Sequence, residues 1–127
     1  PKKDEFFGGL DYVKPGVISV PMIDEGEVQG YVVAQFVFTA DGQTLRSLSV
    51  SPGSFIVDEA YRAIYAGQKV NFRRIEKYDL DELTKEIAAK VNERFKTDLI
   101  KDVLVEQFNF VSRDEIREKG LQNAQRN

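Results

Sequence analysis

The chain has 127 residues, a formal net charge of −3, and no histidine, cysteine or tryptophan. With 42% apolar and 31% charged residues it reads as one globular domain, large enough to bury a core without covalent staples. The composition excludes disulfides, thiolate chemistry and imidazole as base or ligand, and sets up no global field toward nucleic acid or an acidic membrane surface.

Residues 1–15, PKKDEFFGGLDYVKP, mix charge, the adjacent Phe6 and Phe7, and a glycine pair without periodicity, so they read as a flexible leader or linker. The two phenylalanines are expected either in a local edge contact or packed on a partner or bilayer. No run reaches the roughly 18 apolar residues that a spanning helix needs. Pro1 is compatible with a natural second residue after methionine removal, and equally with a fragment cut downstream of an anchor.

Residues 16–23 predict a strand, with Val17, Ile18, Val20, Met22 and Ile23 suited to a pleated surface. Pro21 lacks the ladder donor, which makes that strand an edge strand or a bulged one. Asp24, Glu25, Gly26 and Glu27 form a turn; the acidic trio reads as solvated rather than as a cation loop, because the alternating ligands of such a loop are missing. Residues 28–40 predict the strongest strand, with Val32, Ala34, Phe36 and Phe38 on one face and Tyr31, Val33, Gln35, Val37 and Thr39 on the other. Asp41-Gly42 reads as a type I′ hairpin turn leading to a third strand over 44–50.

Ser51-Pro52-Gly53-Ser54 ends that strand and caps a helix that carries Ile56, Ala60, Ala63 and Ile64 on one side and stops at Gly67. Residues 68–77 read as a connector with room for a short strand at 70–75. Its basic group, Lys69, Arg73, Arg74 and Lys77, lies beside Glu76, Asp79 and Asp81, which cancel most of the local field. A solvated connector or a rim contact to another protein is therefore expected rather than a nucleic-acid or lipid site. Asp79 with Glu82 is a capping-box pattern, and Leu80, Leu83, Ile87, Ala88, Val91 and Phe95 form one apolar stripe of the helix that follows, with Val91 and Phe95 expected as core contacts.

Residues 103–111 predict the last strand, and its alternation is unusual. Val103, Val105 and Val111 share a face with Gln107 and Asn109, whereas Leu104, Phe108 and Phe110 share the other with Glu106. A strand with neither face cleanly polar is either an inner strand half covered by the tail or part of an association surface. Glu106, Gln107, Phe108 and Asn109, with Arg73 and Arg74, are the interface candidates. Ser112 to Glu115 repeats the capping-box pattern and starts a polar tail helix over 113–127.

The fold class that follows is α+β: an antiparallel sheet of three to four strands, packed on one face by two helices, in the order β-β-β-α-(β)-α-β plus the tail, with residues 16–112 as the single domain. The glycines form no phosphate cradle, and no carboxylate pair, nucleophile or metal set stands out, so no cofactor, metal or catalytic residue is assigned and a non-enzymatic role is expected.

The stretches ISVPMIDEGEVQGYVVAQFVF (18–38), SPGSFIVDEAYRAIY (51–65), and the helix from Asp79 running into IKDVLVEQFNFVS (100–112) resemble the flagellar basal-body-associated FliL family. That resemblance implies a stomatin/prohibitin-like periplasmic domain, held at the inner membrane by a segment absent from this chain, that associates with itself and with flagellar stator or motor proteins. A second reading is a small ligand-binding or sensory domain, with a cleft between helices and sheet lined by Tyr61, Arg62 and Tyr65.

Overall fold

A computed structural model of the chain describes residues 9–66 and 79–117. The order is β1 (Leu10–Val13), β2 (Ile18–Asp24), β3 (Glu27–Asp41), α1 (Gly42–Ser47), α2 (Gly53–Ala66), α3 (Leu80–Phe95) and β4 (Ile100–Ser112), followed by a helical turn at 113–117. All strand pairs are antiparallel, and β3 is the centre of the sheet. β4 pairs with 30–40 along one edge of β3. β1 takes 38–41 and β2 takes the stretch from Glu27 to Ala34 along the other edge. The two short strands thus act as a single edge strand, interrupted at Lys14–Val17 where Pro15 and Gly16 sit.

This arrangement is the α+β sheet with helices on one face that the periodicity implies, but its membership differs in two places. Residues 44–50 are not a strand. Asp41 is extended (φ −63°, ψ 116°), and its carboxylate accepts from the Thr44 N–H (2.9 Å) and hydroxyl (2.6 Å), so Asp41-Gly42 opens helix α1 instead of turning a hairpin. The missing strand is supplied by β1, from residues that read as leader. Four residues with a single polar–apolar alternation carry too little pattern to be recognised, yet the end of β3 offers them an unpaired ladder. The hairpin with two positive-φ residues is the acidic turn, at Glu25 (φ 52°) and Gly26 (φ 78°). Pro21 does lie in an edge strand, beside a bulge at Met22/Ile23. The connector at 67–78, with its suggested strand at 70–75, lies outside the described residues.

The core lies between one sheet face and the helices. Ile18, Val20, Met22, Val32, Ala34, Phe36 and Phe38 meet Ile56, Ala60 and Ile64 of α2 and Leu83, Ile87 and Val91 of α3. Phe36 and Phe38 contact edge to face, with centroids 6.1 Å apart. The α3 stripe is buried as its spacing implies, except that Phe95 is only partly buried: it sits edge-on to Phe55 of α2 (5.4 Å) at the helix end. Arg94 covers the Phe55 ring at 5.2 Å and reaches Asp58 (3.0 Å) and Glu59 (3.2 Å), closing the α2–α3 seam.

The return from α3 into β4 is fixed by one side chain. Lys96 caps α3 in the left-handed region, its N–H donating to the Asn92 and Glu93 carbonyls. The Asn92 amide then accepts from the Ile100 N–H (2.7 Å) and donates to the Ile100 carbonyl (3.1 Å), standing in for a strand neighbour where β4 begins.

Candidate interaction surface

Register assigns every β4 side chain to a face, because residues directly paired across a ladder point the same way. Phe36 pairs with Val105, but its neighbour Gln35 pairs with Gln107, so Glu106 is an extra residue, a β-bulge. A second extra residue, Lys101, lies between the partners of Thr39 and Ala40. Each bulge shifts the alternation by one. Val103, Val105, Phe108 and Phe110 thereby fall on the core face with Phe38, Phe36, Ala34 and Val32. Leu104, Gln107, Asn109 and Val111 fall on the other face with Val37, Gln35, Val33 and Tyr31.

The apparent two-sidedness of the last strand is thus a product of counting by two across a bulge. Of the residues proposed for an interface, Phe108 belongs to the core side, Gln107 and Asn109 to the open face, and Glu106 to the bulge between them. Arg73 and Arg74 lie outside the described residues.

The open face is more apolar than a solvated sheet surface requires. Its central row is Tyr31, Val33, Gln35, Val37 and Thr39. Tyr12, 65% exposed, pairs with Thr39 on one flank, and Leu104, 47% exposed, pairs with Val37 on the other. Pro21 and Val111 both pair with Tyr31 and continue the apolar surface to the far end. Both α2 and α3 pack on the opposite face, so no described helix covers this one.

One ion pair crosses the face. Lys14, in the break between β1 and β2, meets Glu106 at the β4 bulge, 3.2 Å apart, with side chains 56% and 40% exposed. The two edge strands flank β3, whose core side there holds the fully buried Phe36 and Phe38. So exposed an ion pair passes over the open side. Both interruptions of strand pattern therefore meet over β3, and each supplies one charge.

The residues suggested for a ligand cleft are placed elsewhere. Tyr61, Arg62 and Tyr65 are exposed on the outer side of α2. The tyrosine rings lie nearly parallel, 6.3 Å apart, and with Asp58 and Ala66 line a shallow depression of about 480 Å³, away from the sheet. Asp58 is tied there: hydrogen bonds from Arg62, then from Arg94, hold its carboxyl below the usual carboxylate range. A larger depression of about 780 Å³ between α2 and α3 is lined by charges of both signs, among them Glu59, Arg62, Glu86, Lys90 and Arg94. Among the described residues no group of three or more acidic side chains is placed to hold a metal ion.

In comparisons of the chain with protein-family models, curated proteins and solved structures, none matches.

Proposed function

We propose that this chain is a non-enzymatic interaction domain that works through the open face of its sheet. The observation that carries the reading is the row Tyr31, Val33, Val37 flanked by Tyr12 and Leu104, apolar side chains on a face that no described helix covers. Aromatic and branched residues around amide side chains make a surface suited to a protein partner. The resemblance of residues 18–38, 51–65 and 100–112 to the FliL family supports a more specific setting: the periplasmic side of the inner membrane, with flagellar stator or motor proteins as partners and attachment through a segment outside this chain.

The test is genetic. In the bacterium that encodes it, deletion is expected to impair swimming or swarming, and complementation by Leu104→Lys to fall short of the wild-type gene. Motility unchanged by deletion across media of different viscosity would remove the motor assignment. The second reading, a ligand held by Tyr61 and Tyr65 in the α2 depression, is favoured by the parallel rings. It predicts that Tyr61→Ala, and not Leu104→Lys, is the damaging substitution.

A further inference from the structure

We infer that the depression on the outer side of α2 is a binding site for a neutral saccharide, whose sugar rings lie on Tyr61 and Tyr65. This rests on the second reading above, that the depression holds a ligand, and leaves the sheet face to its own partner. The sequence places the site. Asp58, Tyr61, Arg62 and Tyr65 follow one another at i, i+3, i+4 and i+7, which is one stripe of the helix. Ile56, Ala60 and Ile64 take the buried stripe, so this one faces outward, with Tyr61 37% and Tyr65 41% exposed.

The rings set how a ligand lies. They are 11° from parallel, with centroids 6.3 Å apart. A flat ligand held between two rings needs a contact distance on each side, about 7 Å in all, so these rings do not sandwich one. Their faces share a direction, and a ligand lies across them. Beside this apolar surface runs a hydrogen-bonding edge. Asp58 Oδ2 accepts from Arg62 Nε and from Arg94 Nη2, both at 3.0 Å. Among the described residues this leaves Asp58 Oδ1 as an open acceptor and the terminal nitrogens of Arg62 as open donors.

Charge decides the class of ligand. A quaternary ammonium or other cation needs an uncompensated carboxylate, and Asp58 is already shared by two guanidinium groups. An anion needs an uncompensated guanidinium, and Arg62 is already paired. The match is a neutral ligand with an apolar side and hydroxyls around its edge. A pyranose has that form. The C–H bonds of one side meet the negative face of a phenol ring, while its hydroxyls donate to a carboxylate and accept from a guanidinium. Two adjacent rings suit neighbouring units of one chain, and the depression, about 480 Å³, has the size of a small-molecule site. So shallow a surface binds weakly, in the millimolar range.

Heteronuclear NMR titration of the full chain with cellotetraose, maltotetraose and the tetramer of N-acetylglucosamine tests the inference. The expected result is a saturable shift of amide signals within 58–66 with at least one of the three. Tyr61→Ala and Tyr65→Ala, both at exposed positions and so compatible with folding, each weaken that binding about fivefold or more. Tyr61→Phe, which keeps the ring, binds as the wild type does. Signals that no sugar shifts overturn the inference, as does binding that survives both alanine substitutions. Adenosine and tetramethylammonium, titrated alongside, separate this failure from that of the ligand-site reading. If either of them and no sugar shifts 58–66, and Tyr61→Ala abolishes the shift, the saccharide is overturned and the ligand site stands. If no probe shifts those signals, both are overturned.

Discussion

Gly30 shows how a single atom can decide the packing of a strand. It lies in β3 opposite Ser112, and a Cβ built there would come within 2.7 Å of Cζ of Phe110 and still nearer the Val111 carbonyl. The Phe110 ring occupies the space a side chain would take, which is why a glycine stands inside a long strand, near its start, despite its entropic cost. Gly30→Ala is expected to destabilise by about 1–3 kcal/mol, measured as a lower denaturant midpoint at unchanged slope. A second residue-scale prediction concerns acid. The Asp58 carboxyl is held below its ordinary value of 3.8, chiefly by Arg62 and then by Arg94. A depressed value means that its stabilising contribution is present above the unfolded value and is lost as pH falls through the folded one. Asp58→Asn should therefore lower the thermal midpoint at neutral pH. The difference from wild type should close below pH 3.8, and added salt should shrink it, because the group is exposed.

At the level of elements, legibility followed the length and regularity of each pattern. The α3 stripe runs four turns with no interruption, and Leu83, Ile87 and Val91 are buried as their spacing implies. The face assignment in β3 also holds, because its even-numbered residues from Val32 to Phe38 stay in phase against both neighbours. Errors entered where one residue changed the count. Asp41-Gly42 fits a tight turn and a helix start equally well over two residues; the Thr44 N–H and hydroxyl decide it, and those contacts lie in space. In β4 the extra Glu106 turns a clean alternation into an apparently mixed one, and only the ladder to β3 reveals it. The interface candidates inherited that miscount, so Gln107 and Asn109 were placed at an interface for a reason that the register removes. The bulge makes a direct prediction. Deleting Glu106 forces either Phe108 and Phe110 or Val103 and Val105 out of the core, and should abolish cooperative unfolding, whereas Glu106→Ala removes only an exposed ion pair and should cost no more than about 0.5–1 kcal/mol. Circular dichroism melts of the two variants compare them directly.

For the whole molecule, the asymmetry of the sheet is the main result. Among the described residues, one face carries both long helices and the buried apolar core, and the other carries aromatic, branched and amide side chains crossed by the Lys14–Glu106 ion pair. Composition did not show this asymmetry, because both rows of β3 are apolar and either could have faced the helices. What separates them is that the even row holds the two phenylalanines that α2 and α3 enclose. The odd row lies on the face that no described helix covers, which is the surface proposed above for a partner.

The distance in sequence between β3 and β4 has a consequence for how the molecule is made. Thr39 and Asp102 are 63 residues apart in sequence, and the ladder between their strands closes a loop that contains both α2 and α3. The β2–β3 hairpin needs only its own four-residue turn, so it can form early, while the β3–β4 ladder must bridge the 63-residue separation of Thr39 and Asp102. Until then β3 offers an unpaired edge with Phe36 and Phe38 beside it. That places a period of aggregation risk between the synthesis of β3 and that of β4, and makes β4 the element that ends it.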